Sequence, residues 1–553
     1  MKFSSDRKPR SRVLILHPFL FAMYVVLAPL AENIGEVGFE AIRALVTILI
    51  LVAVCLFILR YLLHESMKAA LLTSGGLLLL GTYGHILSLF EQLIVLPDWS
   101  ILLLAVFWIM LMVGWAYWVT RRMQNPALWN TYLNVVGGIL VIFPLYSIAT
   151  YTRNTPIMEH QVARYREHML SQAGVKDLDA APSLDEPARD IYYIILDGYT
   201  REDVLKELYD YDNSDFLSSL ENRGFFIPTN MRANYPSTVY SLASSLNMSH
   251  IYDSPDFLRS GIDSDQEAVL RDALAILIHD NRVAEFLREQ GYEIVTFDSG
   301  FIWTTITTAD TFASSPDIPR FNPATAFEFM VIDSTLGKAF LRLMGEEFIP
   351  VQSVFDDHRG RIIFALEHIA DFAKQPGPQF VFAHVISPHS PYVFDAQGNP
   401  RYGVDPFTLL EQPTVGEWNP SLYTDQVTFV NSMILEEIDE ILANSEPAPI
   451  IIIQADHSSN LAWQDHHPPP EIRDKLLFPI FAAFYLPDGD DAVKPYPAIS
   501  PVNVFRLILN RYFGQDLAML PDESYIIVER NGHRIFEQAC ISIGECSDQS
   551  GAP

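Results

Sequence analysis

The sequence predicts an N-terminal five-helix transmembrane domain followed by a large α/β domain with a mostly parallel sheet. Three observations lead there. Five apolar stretches crowd the first 151 of 553 residues. Charge divides at the same place: residues 1–153 carry 11 Lys+Arg and 7 Asp+Glu, net +4, whereas the rest carries 26 and 60, net −34. Beyond Asp190 short apolar runs alternate with amphipathic segments, the rhythm of a sheet wound with helices. A chain of this length also exceeds one compact core, so at least two units are expected.

The apolar stretches are Val13–Leu30, Ala44–Leu63, Ala69–Phe90, Ile101–Val119 and Tyr132–Tyr151. Each has about 18–22 residues, the length that crosses a bilayer. Basic residues before the first give it the look of a signal peptide, but its length and the four spans that follow favour a retained anchor. Lys2, Arg7, Lys8, Arg10 and Arg12 precede span one; Arg60 and Lys68 flank the second connection; Arg121 and Arg122 lie between spans four and five. The alternate connections carry Glu32, Glu36 and Glu40, then Glu91 and Asp98, with Arg43 as the main exception. Positive charge stays on the cytoplasmic side. The reading is therefore a multi-pass protein of the inner or plasma membrane, N-terminus cytoplasmic, with everything after Tyr151 extracytoplasmic. Trp99, Trp108, Trp115, Trp118 and Trp129 cluster in and around spans four and five, and those near the ends suit the membrane interface. No Asp or Glu lies inside a span, which argues against an ion or proton pathway. His17 and His85 are read as packing or interface residues.

Residues 152–189 read as a linker, an amphipathic helix over Met158–Gln172 followed by a polar, proline-containing stretch. Residues 190–553 read as the extracytoplasmic catalytic domain. Its acidity disfavours nucleic acid as a partner and demands a cation wherever phosphate binds. Cys55 reads as a small residue of an apolar segment. Cys540 and Cys546 lie close together, and outside the cytoplasm a local disulfide and two free thiols stay equally open.

The runs 191–196 (IYYIIL), 292–297, 380–386, 449–455 and 478–486 predict buried parallel strands, with helical patterns such as Asn281–Gln290 and Asp425–Ala443 between them. In such sheets chemistry gathers at the carboxyl ends of strands. Asp197 follows the first run directly and reads equally as a metal ligand or an Asx turn. The fourth run ends in Asp456-His457, which pairs a hard oxygen with an imidazole nitrogen, a ligand combination for zinc or manganese; in isolation such a pair is more often a charged turn. Between them, residues 234–248 (NYPSTVYSLASSLNM) are rich in hydroxyls and open a helix. Ser237, Thr238 and Ser241 are each a helix cap by default, or a nucleophile if a metal or base activates the hydroxyl. The helix N-terminus would favour phosphate. His389 in PHSPY, and His466 and His467 in DHHPP, sit on proline-held turns suited to binding a phosphate oxygen or protonating a leaving group, although each alone is more often a surface histidine.

In this order the segments resemble the sulfatase-like branch of the alkaline phosphatase superfamily, and more specifically its membrane phosphoethanolamine transferases and lipoteichoic acid synthases, which also place five spans before an extracytoplasmic domain. The resemblance covers nearly the whole chain. It implies an alkaline phosphatase/sulfatase-like fold and one divalent metal ion, Zn²⁺ or Mn²⁺, held by Asp197, Thr238, Asp456 and His457. Thr238 would be the nucleophile, with Ser241 three residues on as in the family's threonine motif. His389 and either His466 or His467 would hold the transferred phosphate or assist the leaving group. Two departures bear on the transferred group: Asp197 stands where the transferases usually have Glu, and Asp-His-Ser replaces Asp-His-Gly. No cysteine lies in the motif that sulfatases convert to formylglycine, which disfavours sulfate esters.

The expected reaction is transfer of a phospho-head group, phosphoethanolamine or phosphoglycerol in type, from a membrane phospholipid donor to a cell-envelope acceptor through a covalent phosphothreonine. The rival readings are a phosphodiesterase or phosphatase that uses water, another sulfatase-like ester hydrolase, and a non-catalytic membrane protein that keeps the fold for partner binding.

Overall fold

The computed structural model describes residues 14–35, 37, 40–93, 98–178, 188–251, 267–316, 325–344, 349–402, 420–459, 476–488, 493–530 and 533–539. Contacts divide the chain into two compact units.

The first unit is built on apolar helices: α1 (His17–Glu32), α2 (Glu40–Leu63), α3 (Ser66–Leu93), α4 (Asp98–Arg121) and the first part of α5 (Pro126–Gln172). Helices α2 to α5 are long and apolar enough to cross a membrane, whereas α1 is a shorter apolar helix. Phe21, Leu71, Val119, Met123 and Leu133 form one of its buried clusters, with Trp115, Trp118 and Trp129 packed against it. His17 is buried and its Nδ1 meets Ser74 Oγ at 2.5 Å, while His85 is exposed. The sequence predicts a linker over residues 152–189 that opens with a helix at Met158–Gln172; α5 runs without a break from the last apolar stretch to Gln172. Pro144 and Pro156 lie inside it. A helix can absorb a proline when its neighbours satisfy the freed carbonyl.

The second unit is an α/β domain. Its sheet contains β1 (Ile191–Leu196), β2 (Glu293–Phe297), β3 (Thr311–Ala313), β4 (Gln379–Val385), β5 (Ile450–Gln454) and β6 (Ala482–Tyr485), in the order β3-β2-β4-β1-β5-β6. All pairings are parallel except β5 with β6, which is antiparallel. The sequence predicts a parallel strand at β6; apolar periodicity marks burial and carries no information on direction. A separate two-stranded antiparallel ribbon, β7 (Tyr525–Arg530) with β8 (His533–Gln538), and the short edge strand β3 have no counterpart in the sequence reading.

Every side chain of β1 is fully buried, as its unbroken apolar run requires of a strand covered on both faces. β1 pairs with β4 on one side and β5 on the other, in register Ile191↔Phe380 and Ile191↔Ile450. The chain thus winds outward from β1 in two directions. That is a topological switch point, where the connections diverge and leave a crevice at the carboxyl ends.

The helices of this unit are α6 (Glu202–Tyr209), α7 (Ser214–Asn222), α8 (Thr238–Ser245), α9 (Glu267–His279) and α10 (Arg282–Glu289), then α13 (Ile349–His368), α14 (Pro420–Asn444) and α15 (Pro501–Tyr512). Helix α10 begins as its sequence suggests: the Asn281 side chain accepts a hydrogen bond from Ala284 N at 2.8 Å. Two further helices, α11 (Ala326–Asp333) and α12 (Gly337–Met344), belong to the first unit although they lie between β3 and α13 in the chain.

Candidate active site

Three strand ends and one helix start supply the site. Asp197 is the first residue past β1. Its backbone N donates to Val385 O at 3.0 Å, so the sheet hydrogen bonding continues one step beyond the strand and fixes the carboxylate at the crevice. Gly198 follows at φ +69, where a side chain is rarely tolerated, and turns the chain beneath His389. Asp197 O accepts from His389 N at 3.0 Å, which ties the PHSPY turn to the end of β1. Gln426 on α14 holds the same turn by donating to Pro388 O and His389 O at 3.2 and 3.1 Å.

Asp456 and His457 follow β5. Oδ1 of Asp456 accepts from Gly198 N at 3.2 Å and His457 N at 2.9 Å, which leaves Oδ2 facing the crevice. His457 Nδ1 lies 2.8 Å from Ser458 O; the nitrogen is the donor, so Nε2 carries the lone pair into the site.

Helix α8 opens at Thr238. Ser237 is its N-cap residue in extended conformation and makes no side-chain capping bond. Ser241, one turn on, donates to Asp456 O at 2.6 Å and pins the helix to the Asp-His segment. Of the three hydroxyl candidates, Thr238 faces the imidazole, its Oγ1 3.3 Å from His457 Nε2. That nitrogen is also 3.3 Å from Asp197 Oδ1 and 3.5 Å from Asp456 Oδ2. Asp197, Thr238, Asp456 and His457 therefore converge on one small volume. His389 stands beside them, half-buried, its ring 5.9 Å from that of His457 and nearly perpendicular to it. His466, His467, Cys540 and Cys546 lie outside the described residues.

One neighbour was not foreseen. His384 sits within β4, opposite Ile195 of β1, and its Nε2 is 3.3 Å from Asp197 Oδ2. Its Nδ1 meets Thr304 Oγ1 at 2.7 Å, and Ser299 Oγ lies 3.0 Å from that hydroxyl. The signal was present in the sequence as an imidazole interrupting the apolar run FVFAHVI, a polar group that a buried strand keeps only with partners.

Electrostatics follow from this crowding. Burial by itself would raise the Asp197 carboxyl, yet the neighbouring imidazoles of His389, His384 and His457 hold it below the usual carboxylate range. Burial would likewise lower His457, but Asp456 and Asp197 raise it above its ordinary value.

The donor set fits a metal ion. Asp197 Oδ1, Asp456 Oδ2 and His384 Nε2 are buried and, among the described residues, have no hydrogen-bond partner. Buried anions without partners are costly, and a cation compensates them. Two overlapping triads, Asp197–His389–His457 and Asp197–His384–Asp456, each bring their ligand atoms within 4.8 Å of one another. Carboxylate oxygen with imidazole nitrogen suits a borderline divalent ion.

No protein-family model and no curated protein sequence matches the chain. Solved structures do. The integral membrane lipooligosaccharide phosphoethanolamine transferase A from Neisseria meningitidis matches at 13% identity, over 90% of this chain and 94% of that one, with a TM-score of 0.38. The zinc complex of the C-terminal periplasmic domain of EcEptC from Escherichia coli matches at 11% identity, over 65% and 96%, with a TM-score of 0.37. A 2-O GAG sulfatase, BT1596, matches at 13% identity, over 62% and 77%, with a TM-score of 0.35. These neighbours are enzymes; at such identities and scores the likeness assigns no activity to this chain.

Proposed function

We propose that the chain is a membrane-anchored, metal-dependent phosphoryl-group transferase of the alkaline phosphatase superfamily, with its catalytic domain on the extracytoplasmic side. The observation that carries this reading is the convergence of Asp197, Thr238, Asp456 and His457 on a single point at the sheet's switch point. A hydroxyl packed among two carboxylates and an imidazole has little structural purpose, whereas the same hydroxyl beside a cation is a nucleophile.

Asp197, Asp456, His457 and Thr238 would hold one divalent ion, Zn²⁺ or Mn²⁺. When bound, it supplies Lewis acidity that favours the threonine alkoxide and neutralises phosphoryl oxygens. The rest falls to the chain's own residues. Thr238 Oγ1 attacks phosphorus of a phospholipid head group, phosphoethanolamine or phosphoglycerol in type. A new O–P bond forms, the ester bond to diacylglycerol breaks, and the departing alkoxide takes a proton from His389 or from one of His466 and His467. A cell-envelope hydroxyl then gives its proton to that histidine and attacks the phosphothreonine, releasing Thr238. Position one of α8 suits this role, since the helix N-terminus favours the negative charge gathering there. His384, beside Asp197 and held by Thr304, would orient the carboxylate. The apolar helices hold the protein at the surface where a lipid donor is concentrated.

The test is direct. The detergent-purified protein is assayed for bound metal and incubated with labelled phosphatidylethanolamine or phosphatidylglycerol. Intact mass should show a head-group adduct in the wild type and none in Thr238→Ala. Diacylglycerol release with no product on any acceptor hydroxyl would replace the transferase by a hydrolase. Absence of both metal and adduct would remove the enzyme reading.

A further inference from the structure

Helices α11 and α12 depart from the chain's own order. They are flanked in sequence by elements of the α/β unit, yet they pack with the apolar helices. Phe327 and Val331 of α11 share a buried cluster with Val26 of α1 and Ala41 and Ala44 of α2. Ala339 of α12 joins Tyr83 and Leu87 of α3 and Ile101 of α4 in another. The contact is close enough to involve backbone: Leu336 N donates to Leu80 O at 2.9 Å, and a Cβ on Gly84 would stand 2.3 Å from Asp333 O. Small residues permit such approach between helices in an apolar medium.

The polarity of this pair is inverted relative to a surface that faces water. Two of its charges turn inward. Lys338 and Asp333 are both buried, Nζ lying 3.5 Å from Oδ2, and Lys338 also donates to Ser88 Oγ at 3.3 Å. Glu328 pairs with Arg43 of α2 while its carboxylate also closes the capping box with Thr325. Large apolar side chains turn outward instead: Ile332 is 37% exposed, Phe340 48% and Leu343 63%. Helix α12 therefore has apolar side chains on both sides, Ala339 and Leu341 against the bundle and Phe340 and Leu343 away from it. Exposed apolar side chains beside an inward-turned Lys338–Asp333 pair suit an apolar medium better than a water interface. Ile42 and Val46 of α2 and Leu102 and Leu103 of α4, helices against which α11 and α12 pack, are exposed as well.

We infer that α11 and α12 form a lipid-seated element, with Ile332, Phe340 and Leu343 lying against acyl chains of the leaflet at the end of the bundle where α1 ends and α2 begins. The occupant is the bilayer itself, since the patch is carried by helices packed against others that are long and apolar enough to span one. The proposal concerns lipid contact and stands independently of the chemistry at Thr238.

Depth-dependent quenching tests it in the full chain. In a background with Cys55, Cys540 and Cys546 replaced by Ser, Leu343→Cys is labelled with an environment-sensitive fluorophore and placed in phosphatidylcholine nanodiscs. Glu221→Cys, exposed on α7, serves as the water-facing reference. Lipids brominated on the acyl chains should lower emission at position 343 about twofold relative to position 221, because the label sits in the apolar layer. Quenching at 343 no stronger than at 221 overturns the proposal, whatever the outcome of the activity assays. Both labelled positions are exposed, so neither substitution disturbs packing.

Discussion

Nε2 of His384 faces Oδ2 of Asp197 across 3.3 Å in a place that water does not reach. Thr304 Oγ1 lies 2.7 Å from the other ring nitrogen and 3.3 Å from Phe301 O. When the hydroxyl donates to that carbonyl it accepts from Nδ1–H, and Nε2 is left as a lone pair directed at the carboxylate. Two acceptors facing each other in a buried site repel unless a cation lies with them. Thr304 thereby acts on the site through His384.

Thr304→Val should weaken metal binding about tenfold or more, the usual scale for loss of an outer-shell partner, while Thr304→Ser restores most of it. Competition titration with a metal-sensitive dye measures this without reference to turnover. Equal affinity in all three proteins would remove the positioning role.

Thr238→Ala should lower turnover by about a thousandfold or more, because a nucleophile acts as part of a unit and its loss leaves only binding and electrostatics. Thermal stability should change little, since the hydroxyl's partner among the described residues is the His457 ring within the site. Rates with labelled lipid, beside a melting curve, separate the two effects.

Asp456→Asn should reduce bound metal well below one ion per chain. Chelation of the wild type should lower its melting temperature, and added Zn²⁺ or Mn²⁺ should restore it, since a ligand that binds only the folded state stabilises it. The variant should show a smaller response to chelator. Elemental analysis and differential scanning fluorimetry give both readings.

Glu437 is not among the candidate-site residues and should govern part of the pH dependence of stability. Burial, helped by Glu440, Asp371 and Glu367, pushes its carboxyl up to about 7 despite the hydrogen bond it accepts from Ala370 N. A raised acid holds its proton more tightly when folded. Its contribution is therefore full below the ordinary value of 4.5 and is lost as pH climbs through about 7. Asp190, raised to about 6 by burial, adds a loss of the same sign that ends earlier. Glu437→Gln keeps an acceptor for Ala370 and should gain on the order of 2–3 kcal/mol over the wild type at pH 8, with no gain near pH 4. Melting temperatures across that range decide it.

The sheet was legible where composition forces burial. Six consecutive apolar residues at β1 and four isoleucines at β5 have few alternatives to a strand covered on both faces. Strand direction was not legible, and β6 turned out antiparallel, because polarity of the chain leaves no trace in side-chain pattern. The candidate site was readable at Asp197, Thr238, Asp456 and His457 because each follows or opens an element with a clear signature. His384 interrupts an apolar strand and was passed over because a lone imidazole inside a strand does not by itself mark a site. The placement of α11 and α12 depends on contacts more than two hundred residues away along the chain, such as Glu328 with Arg43, and local periodicity cannot carry that.

The unbroken course of α5 bears on how the α/β unit could be separated from the apolar helices. Arg506 is fully buried and donates to Met248 O, Ala518 O and, at 2.6 Å, Ala173 O just past the end of α5. Arg282 donates to Val175 O at 2.9 Å, and Tyr165 OH to Ile251 O at 3.2 Å. A soluble fragment cut at Asp190, where the strands begin, would strip two interior guanidinium groups of a carbonyl each. One that starts upstream of Tyr165 would carry those partners with it.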